Sequence, residues 1–135
     1  MKGLRSNRMQ PPTFPDARIL AAQREVCDRY RVPHTPSRPD LKVAINLDGN
    51  PFPINGLREQ EDPEYEELSG WFIWAGERGI DQEDDAFFKP LHGWHLPDRC
   101  PAVLPYLALP PGWRFVIALD YEDVWFDPAL LTPGD

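Results

Sequence analysis

The sequence lacks the features that mark several large classes of protein. It has only two cysteines, Cys27 and Cys100, among 135 residues, too few for a disulfide framework. We expect both to be buried thiols, although the sequence leaves open whether they pair. No apolar run approaches the roughly 18 residues that a membrane-spanning helix needs. Residues 1–5 are basic but no apolar core follows them, so we expect no signal peptide, no membrane partner and a cytoplasmic location.

Positive charge is also scarce. The chain has 14 Lys and Arg against 22 Asp and Glu, which gives a net charge of −8. The charges are unevenly distributed, because residues 1–43 carry a net +5 and residues 44–135 a net −13. Such a balance disfavours nucleic acid as a partner and favours a basic protein. An acidic surface also keeps many proteins soluble, so charge alone does not decide between an acidic binding face and a solubility effect.

The pattern predicts a single α+β domain over residues 13–135, after a flexible basic tail over residues 1–12. Thr13 and Asp16 resemble a capping box, and apolar residues at helical spacing follow them. We therefore expect an amphipathic N-terminal helix that is stopped by Pro33. The apolar stripe of this helix consists of Ile19, Ala22, Val26 and Tyr30.

Most of the remaining chain reads as strands and turns. Prolines 97, 101 and 105 limit residues 97–109 to short helical turns. Residues 53–58 are either a short edge strand or a loop, because Asn55-Gly56 favours a turn. We expect an antiparallel sheet of four or five strands, with the N-terminal helix on one face. The strands are predicted at residues 42–47, 69–77, 87–96, 113–119 and 123–126.

The aromatic strands are apolar on both faces. Alternation places Trp71 and Ile73 on one face of their strand and Phe72 and Trp74 on the other. One helix covers one face of a sheet, so the second face is either covered by loops and residues 97–111 or partly exposed as an interaction surface.

The sequence shows no constellation that supports catalysis. His92 and His95 are three residues apart, so a strand would point them to opposite faces, and Cys100 lacks the CxxC partner of a zinc site. The acidic run at residues 81–85 lacks the ligand spacing of a calcium-binding EF-hand. Nucleophile elbows and phosphate-binding glycine loops are also missing. We expect no cofactor, no metal and no enzymatic activity.

Four segments resemble a known family. They read PINGLR (53–58), SGWFIWAGE (69–77), DDAFFKPLHGWHL (84–96) and CPAVLPYLALPPGWRFVIALDYEDVWFD (100–127). Over roughly residues 50–131 the chain resembles a family of small bacterial immunity-protein domains, and LPPGWRF followed by YEDVWFD is the most specific part. The resemblance implies a cytoplasmic protein that binds and neutralises a toxin of a polymorphic-toxin system. It implies no catalytic residues.

The leading hypothesis is therefore an immunity-type protein that binds a basic partner through the loops at residues 59–67 and 81–85 and the hairpin end at residues 120–127. Trp125 is a candidate surface anchor, because it shares a strand face with Asp123 and Asp127. The residues predicted to bind the partner are Asp84, Asp85, Glu122, Asp123 and Trp125.

Two alternatives are left open. The first is a small enzyme or ligand-binding protein, whose pocket would be lined by Trp71, Trp74, His92 and His95. The second is a scaffold or adaptor that acts through residues 1–12. The sequence does not identify the partner or the oligomeric state.

Overall fold

A computed structural model describes residues 15–49, 51–81 and 83–131 of the chain. Thr13 and the predicted tail lie outside the described residues, and the extent of the domain stays a prediction. Within these ranges, no helix is long and apolar enough to cross a membrane. The strands are β1 (Lys42–Asn46), β2 (Ile54–Arg58), β3 (Leu68–Ala75), β4 (Lys89–His92), β5 (Trp113–Ala118) and β6 (Tyr121–Phe126). The α-helices are α1 (Ala17–Arg29) and the one-turn α2 (Leu96–Arg99), and 3-10 helices cover Pro63–Tyr65, Gly93–His95, Pro101–Tyr106 and Pro128–Leu130.

The described strands form one mixed sheet in the order β4-β1-β3-β2-β5-β6. The α+β class, the N-terminal helix and the short helical turns are confirmed, but the prediction of four or five antiparallel strands is wrong. Six strands are present, and β1 pairs with β3 in parallel. Strand β3 lies between β1 and β2 in the sheet. It pairs in parallel with β1 on one side and antiparallel with β2 on the other.

Strand β2 accounts for part of this difference. It is neither an edge strand nor a loop, because it pairs with β3 on one side and β5 on the other. Gly56 lies in its middle, where a Cβ atom would overlap the ring of Phe115 from the neighbouring strand. The glycine that favoured a turn in the sequence therefore makes room for a core aromatic side chain.

The strand predicted at residues 87–96 is much shorter than expected. Strand β4 occupies an edge of the sheet, where Pro90 is tolerated, and it ends at His92. The chain then turns into a 3-10 helix, because the amides of Gly93 and Trp94 donate to the carbonyls of Leu41 and Pro39 over 2.9 and 3.1 Å.

Helix α1 begins and ends differently from the prediction. Asp16 is its N-cap, and the Asp16 carboxylate accepts a hydrogen bond from the Ile19 amide over 2.9 Å. The helix ends at Arg29, before Pro33, and Arg31 has a positive φ of 61°. Its buried residues pack toward the 3-10 helix Pro101–Tyr106. Cys27 and Cys100 are both buried and unpaired thiols.

The main core lies between the sheet and these helical segments. Trp71 is buried at its centre, and its indole N–H donates to the Leu107 carbonyl over 3.2 Å. The sheet contributes Val43, Ile45, Ile54, Trp71, Ile73, Phe115, Ile117 and Val124, and the helical side contributes Val26, Leu96, Val103, Leu104 and Leu107.

A buried arginine ties the connector before β1 to this core. Arg58 is 2% exposed, and its Nη1 donates to the carbonyls of Thr35 and Leu109 over 2.5 and 2.7 Å. Its guanidinium also lies 5.7 Å from the Trp71 ring. Burial lowers the pKa of Arg58 to about 10, although Glu61 acts in the opposite direction. The guanidinium thus supplies hydrogen-bond donors to two backbone carbonyls that lie outside the helices and strands.

The opposite face of the sheet is partly covered. Leu57 and Trp74 are buried there by Phe87, and Phe72, Ile80, Phe88 and Leu130 pack around them. We call this side of the sheet the open face, because a single loop and the last 3-10 helix lie over it in place of a long helix.

Candidate functional site

Two acidic loops border the open face. Residues 59–67 contain six acidic residues and no basic one, and residues 77–85 contain five acidic residues and one arginine. Together they carry a net charge of −10, against −8 for the whole chain. Two adjoining cavities lie along these loops and share Glu59 and Phe72 in their walls. We call the pair of cavities the acidic groove.

The first cavity, of about 260 Å³, is formed by an irregularity in β3. Lys42 pairs with Leu68 but Ala44 pairs with Phe72, so β3 bulges between these two positions. Gly70 lies within the bulge with a φ of 93°, and a Cβ atom there would overlap the carbonyl oxygen of Glu59. Because Gly70 has no side chain, the Glu59 backbone approaches the bulge closely, and the first cavity is a recess beside this contact.

Acidic and aromatic groups from the 59–67 loop line the outer side of this recess. Glu59, Glu61 and Asp62 border it, together with the half-exposed ring of Tyr65. Lys42 also borders the first cavity, so one cation stands opposite these carboxylates.

The second cavity, of about 270 Å³, has an aromatic floor. The rings of Phe72 and Phe88 meet edge to face with centroids 5.1 Å apart, and Phe87 packs against Phe88 at 4.9 Å. Its rim carries Glu59 and, from the second loop, Asp81, Asp84 and Asp85. No Lys or Arg among the described residues lines this cavity.

The acidic side chains of both loops form no salt bridge with any residue that the structure describes. Four salt bridges occur among the described residues, and none involves residues 59–67 or 77–85. Arg78, the arginine of the second loop, instead donates to Asn46 Oδ1 and the Asp48 carbonyl, over 2.8 and 3.2 Å. Its guanidinium lies 5.1 Å from the Phe87 ring.

Some of these carboxylates stabilise their own loops. Asp62, Asp81 and Asp84 each accept a hydrogen bond from the amide two residues ahead, over 2.9 to 3.0 Å. These bonds fix the loop backbones and leave the second oxygen of each carboxylate without a hydrogen-bond partner in the described part of the chain.

Glu59 differs from the other acids. The residue is exposed overall, yet burial of its carboxyl group at the junction of the cavities raises its pKa. Its side chain makes no hydrogen bond or ion pair with any residue that the structure describes. Because its backbone amide donates to the Gly70 carbonyl over 2.8 Å, Glu59 is held directly against the β3 bulge.

The predicted partner-binding residues divide into two groups. Asp84 and Asp85 lie on the rim of the second cavity. Glu122, Asp123 and Trp125 lie on β6, at the far edge of the sheet.

Within β6, the alternation of side chains separates Glu122 from its neighbours. The Glu122 carboxylate faces α1 and accepts hydrogen bonds from Arg29 and from the Tyr30 and Tyr106 hydroxyls. Asp123 is exposed on the open face. Trp125 is half-buried there, and the Arg114 guanidinium lies 5.5 Å from its ring. The structure therefore places Glu122 inside an intramolecular network, apart from Asp123 and Trp125.

The residues of the alternative pocket also lie apart. Trp71 is buried in the main core, whereas Trp74 is buried on the open face, where its indole N–H donates to the Arg78 carbonyl over 3.0 Å. His92 stacks on Trp94 with centroids 4.4 Å apart, and the rings of His92 and His95 are 6.4 Å apart. No group of three or more His, Cys, Asp or Glu side chains that could hold a metal ion occurs in the described ranges.

The roles of four residues in the groove were not predicted. Glu59 belongs to a loop that the sequence marks as acidic, but its burial depends on contacts across the sheet. Phe72 was assigned to a strand face, and Gly70 was treated as an ordinary strand residue. Lys42 belongs to the basic N-terminal part of the sequence, and nothing in the sequence indicated that it would lie beside the acidic loop.

Comparison with known proteins identifies one family. A family model described as the Imm33-like domain matches residues 22–127. No curated protein matches the chain, and no solved structure matches it. The match begins inside α1 and ends just after β6, so it covers the whole sheet and both acidic loops.

Proposed function

Because this chain belongs to the Imm33-like domain family, we propose that it is an immunity protein that neutralises a cognate toxin by binding to it. The observation that carries the proposal is the pair of acidic loops, whose charges find no salt-bridge partner among the described residues. In this proposal the protein acts in the cytoplasm, its partner is a basic protein, and it has no catalytic activity of its own.

The position of the charge supports binding more than solubility. Charge that serves solubility alone is expected to be spread over the surface, whereas here the two loops carry a net −10 and six of their acidic residues line the two recesses. An acidic rim around an apolar floor is complementary to a cationic surface that carries exposed apolar groups. Concentrated negative charge would also accelerate the approach of a basic protein.

The proposal is tested by growth rescue. The proposal expects the cognate toxin to be encoded beside this gene, and that toxin is expressed in a host cell with and without this chain. We expect growth to be arrested by the toxin alone and restored by co-expression. An unrelated acidic protein of similar size serves as the control for non-specific charge. Arrested growth in the presence of well-expressed, folded chain would refute the proposal.

The mode of binding is tested with the purified proteins. Since the partner is expected to be basic, the association rate constant should fall steeply as the salt concentration rises. The dissociation rate constant should change much less. A complex whose association rate is insensitive to salt would exclude the electrostatic part of the proposal and leave the immunity function intact.

A further inference from the structure

We propose that the second cavity of the acidic groove receives an arginine side chain of the partner, with the guanidinium against Glu59 and the aromatic floor. This inference rests on the proposed function and specifies the contact by which the partner is recognised. It is argued from the shape of the cavity, its floor, its charge and the state of Glu59.

The size of the cavity suits a side chain better than a cofactor. Pockets for drug-sized ligands usually measure about 300–1,000 Å³. The second cavity measures about 270 Å³ and opens onto the surface between the two loops. A protruding side chain of a protein partner can enter such a cavity while the loops on either side contact the partner's backbone.

The floor of the cavity favours a planar cation. Phe72 and Phe88 pack edge to face, so their ring system offers an aromatic surface next to the carboxylates. A guanidinium stacks on aromatic rings and forms two parallel hydrogen bonds to a carboxylate, whereas an ammonium is a compact and strongly hydrated charge. Arginine is therefore the cationic residue that matches both the floor and the rim.

The charge of the cavity is of one sign. Glu59, Asp81, Asp84 and Asp85 border it, and the described part of the chain places no lysine or arginine in its wall. The first cavity differs, because Lys42 lies in its wall and would repel a guanidinium. This difference assigns the arginine to the second cavity.

Glu59 is the residue that gains most from such a partner. Its carboxyl group is partly withdrawn from water without an ion pair, and this raises its pKa. A guanidinium beside it would favour the ionised form and satisfy its oxygens. The free protein thus holds a carboxylate in a position that becomes favourable when the partner is bound.

The experiment uses short probes that do not depend on the toxin. The ¹⁵N-labelled protein is titrated with the blocked peptide acetyl-Gly-Arg-Gly-amide, and separately with its lysine and citrulline counterparts. Citrulline keeps the shape of arginine without the charge. We expect the arginine peptide to shift backbone resonances of residues 57–60, 72, 80–81 and 83–88, the lysine peptide to shift them less, and citrulline to leave them unchanged.

Four results would overturn the inference. Equal shifts with arginine and citrulline would exclude charge recognition, and equal shifts with lysine would exclude the stacking. Shifts of the same resonances on simple dilution, without peptide, would assign the cavity to a second copy of this chain. The same shifts produced by calcium chloride alone, together with none from the arginine peptide, would assign it to a metal ion.

The second test measures the affinity of the protein for the toxin. Glu59→Gln should weaken binding at least about tenfold, as expected for a buried charge contact at an interface. Asp98→Asn, an equal change of charge at an exposed position of helix α2, should leave the affinity unchanged. If the wild-type chain does not protect cells, the proposed function fails while the peptide result still stands. If the wild type protects and Glu59→Gln binds equally well, the inference fails and the function stands.

Discussion

The Glu122 carboxylate accepts a hydrogen bond from the Tyr106 hydroxyl over 2.6 Å, which joins the edge strand β6 to the 3-10 helix Pro101–Tyr106. The same carboxylate accepts bonds from the Tyr30 hydroxyl over 2.5 Å and from two nitrogens of Arg29 over 3.1 and 3.2 Å. One acidic side chain thus connects the sheet edge, α1 and the 3-10 helix. Four hydrogen bonds from three side chains on one carboxylate indicate a structural role for Glu122.

Glu122→Gln should therefore reduce the stability of the protein. The amide loses the charge that strengthens all of these hydrogen bonds and brings an NH₂ group toward hydroxyl and guanidinium donors. We expect the free energy of unfolding to fall by about 1–2 kcal/mol, as measured by urea denaturation. Asp123→Asn is the matched control, because that exposed neighbour has no hydrogen bond in the described residues. Equal stability of the two variants would contradict the structural role.

The pH dependence of stability gives a second test of this network. Burial alone would raise the pKa of Glu122, but the hydroxyls of Tyr106 and Tyr30 and the Arg29 guanidinium outweigh it and lower the pKa below its ordinary 4.5. A carboxyl group with a lowered pKa stabilises the folded state above its unfolded pKa, and this contribution is lost as the pH falls through the folded pKa.

The measured quantity is the difference in free energy of unfolding between the wild type and Glu122→Gln. We expect it to be constant from neutral pH down to about pH 5 and to shrink at lower pH. Thermal or urea unfolding across this range provides the values. A difference that grows on acidification would mean that the sign of the pKa shift is wrong.

The β3 bulge gives a prediction about the groove itself. Gly70→Ala places a side chain at a φ of 93°, in the left-handed region, and against the Glu59 carbonyl oxygen. We expect a loss of about 1–3 kcal/mol in the free energy of unfolding, the usual range for a strained backbone position. Gly79→Ala is the control, since a Cβ atom there meets nothing within 4 Å. Similar stability of the two variants would show that the bulge relaxes without cost.

The elements that local pattern determines were predictable. Strands β3 and β5 follow from continuous apolar and aromatic runs, and the β5–β6 hairpin pairs as expected. The parallel pairing of β1 with β3 depends on contacts between distant segments, which a local pattern does not contain. The position of β2 was missed for the same reason, because the role of Gly56 is apparent only once Phe115 lies across it.

The candidate site was likewise predictable from the sequence only in part. The acidic loops are evident in the sequence, and Asp84 and Asp85 do lie at the groove. The period of two along a strand already separates Glu122 from Asp123, but nothing local indicates that Tyr30 and Tyr106 lie within reach of Glu122. The position of Glu59 against the bulge at Gly70 is likewise a property of the assembled sheet.

Glu59 provides the last prediction, because its burial acts on stability in the opposite direction from Glu122. A carboxyl group whose pKa is raised on folding destabilises the folded state when it is ionised, and this penalty disappears as the pH falls through the folded pKa. Glu59→Gln removes the charge and keeps the shape. We therefore expect this variant to be at least as stable as the wild type at neutral pH, and the two to converge on acidification.

Glu66→Gln, an equal change at an exposed position of the same loop, should leave stability unchanged at neutral pH. Urea unfolding of the three proteins at neutral and acidic pH tests this, and a clear loss of stability in Glu59→Gln would show that the carboxylate has a structural partner. A variant that keeps its stability while losing affinity for the toxin would separate binding from folding at this residue, because a carboxylate needed for the fold could not be removed without a loss of stability.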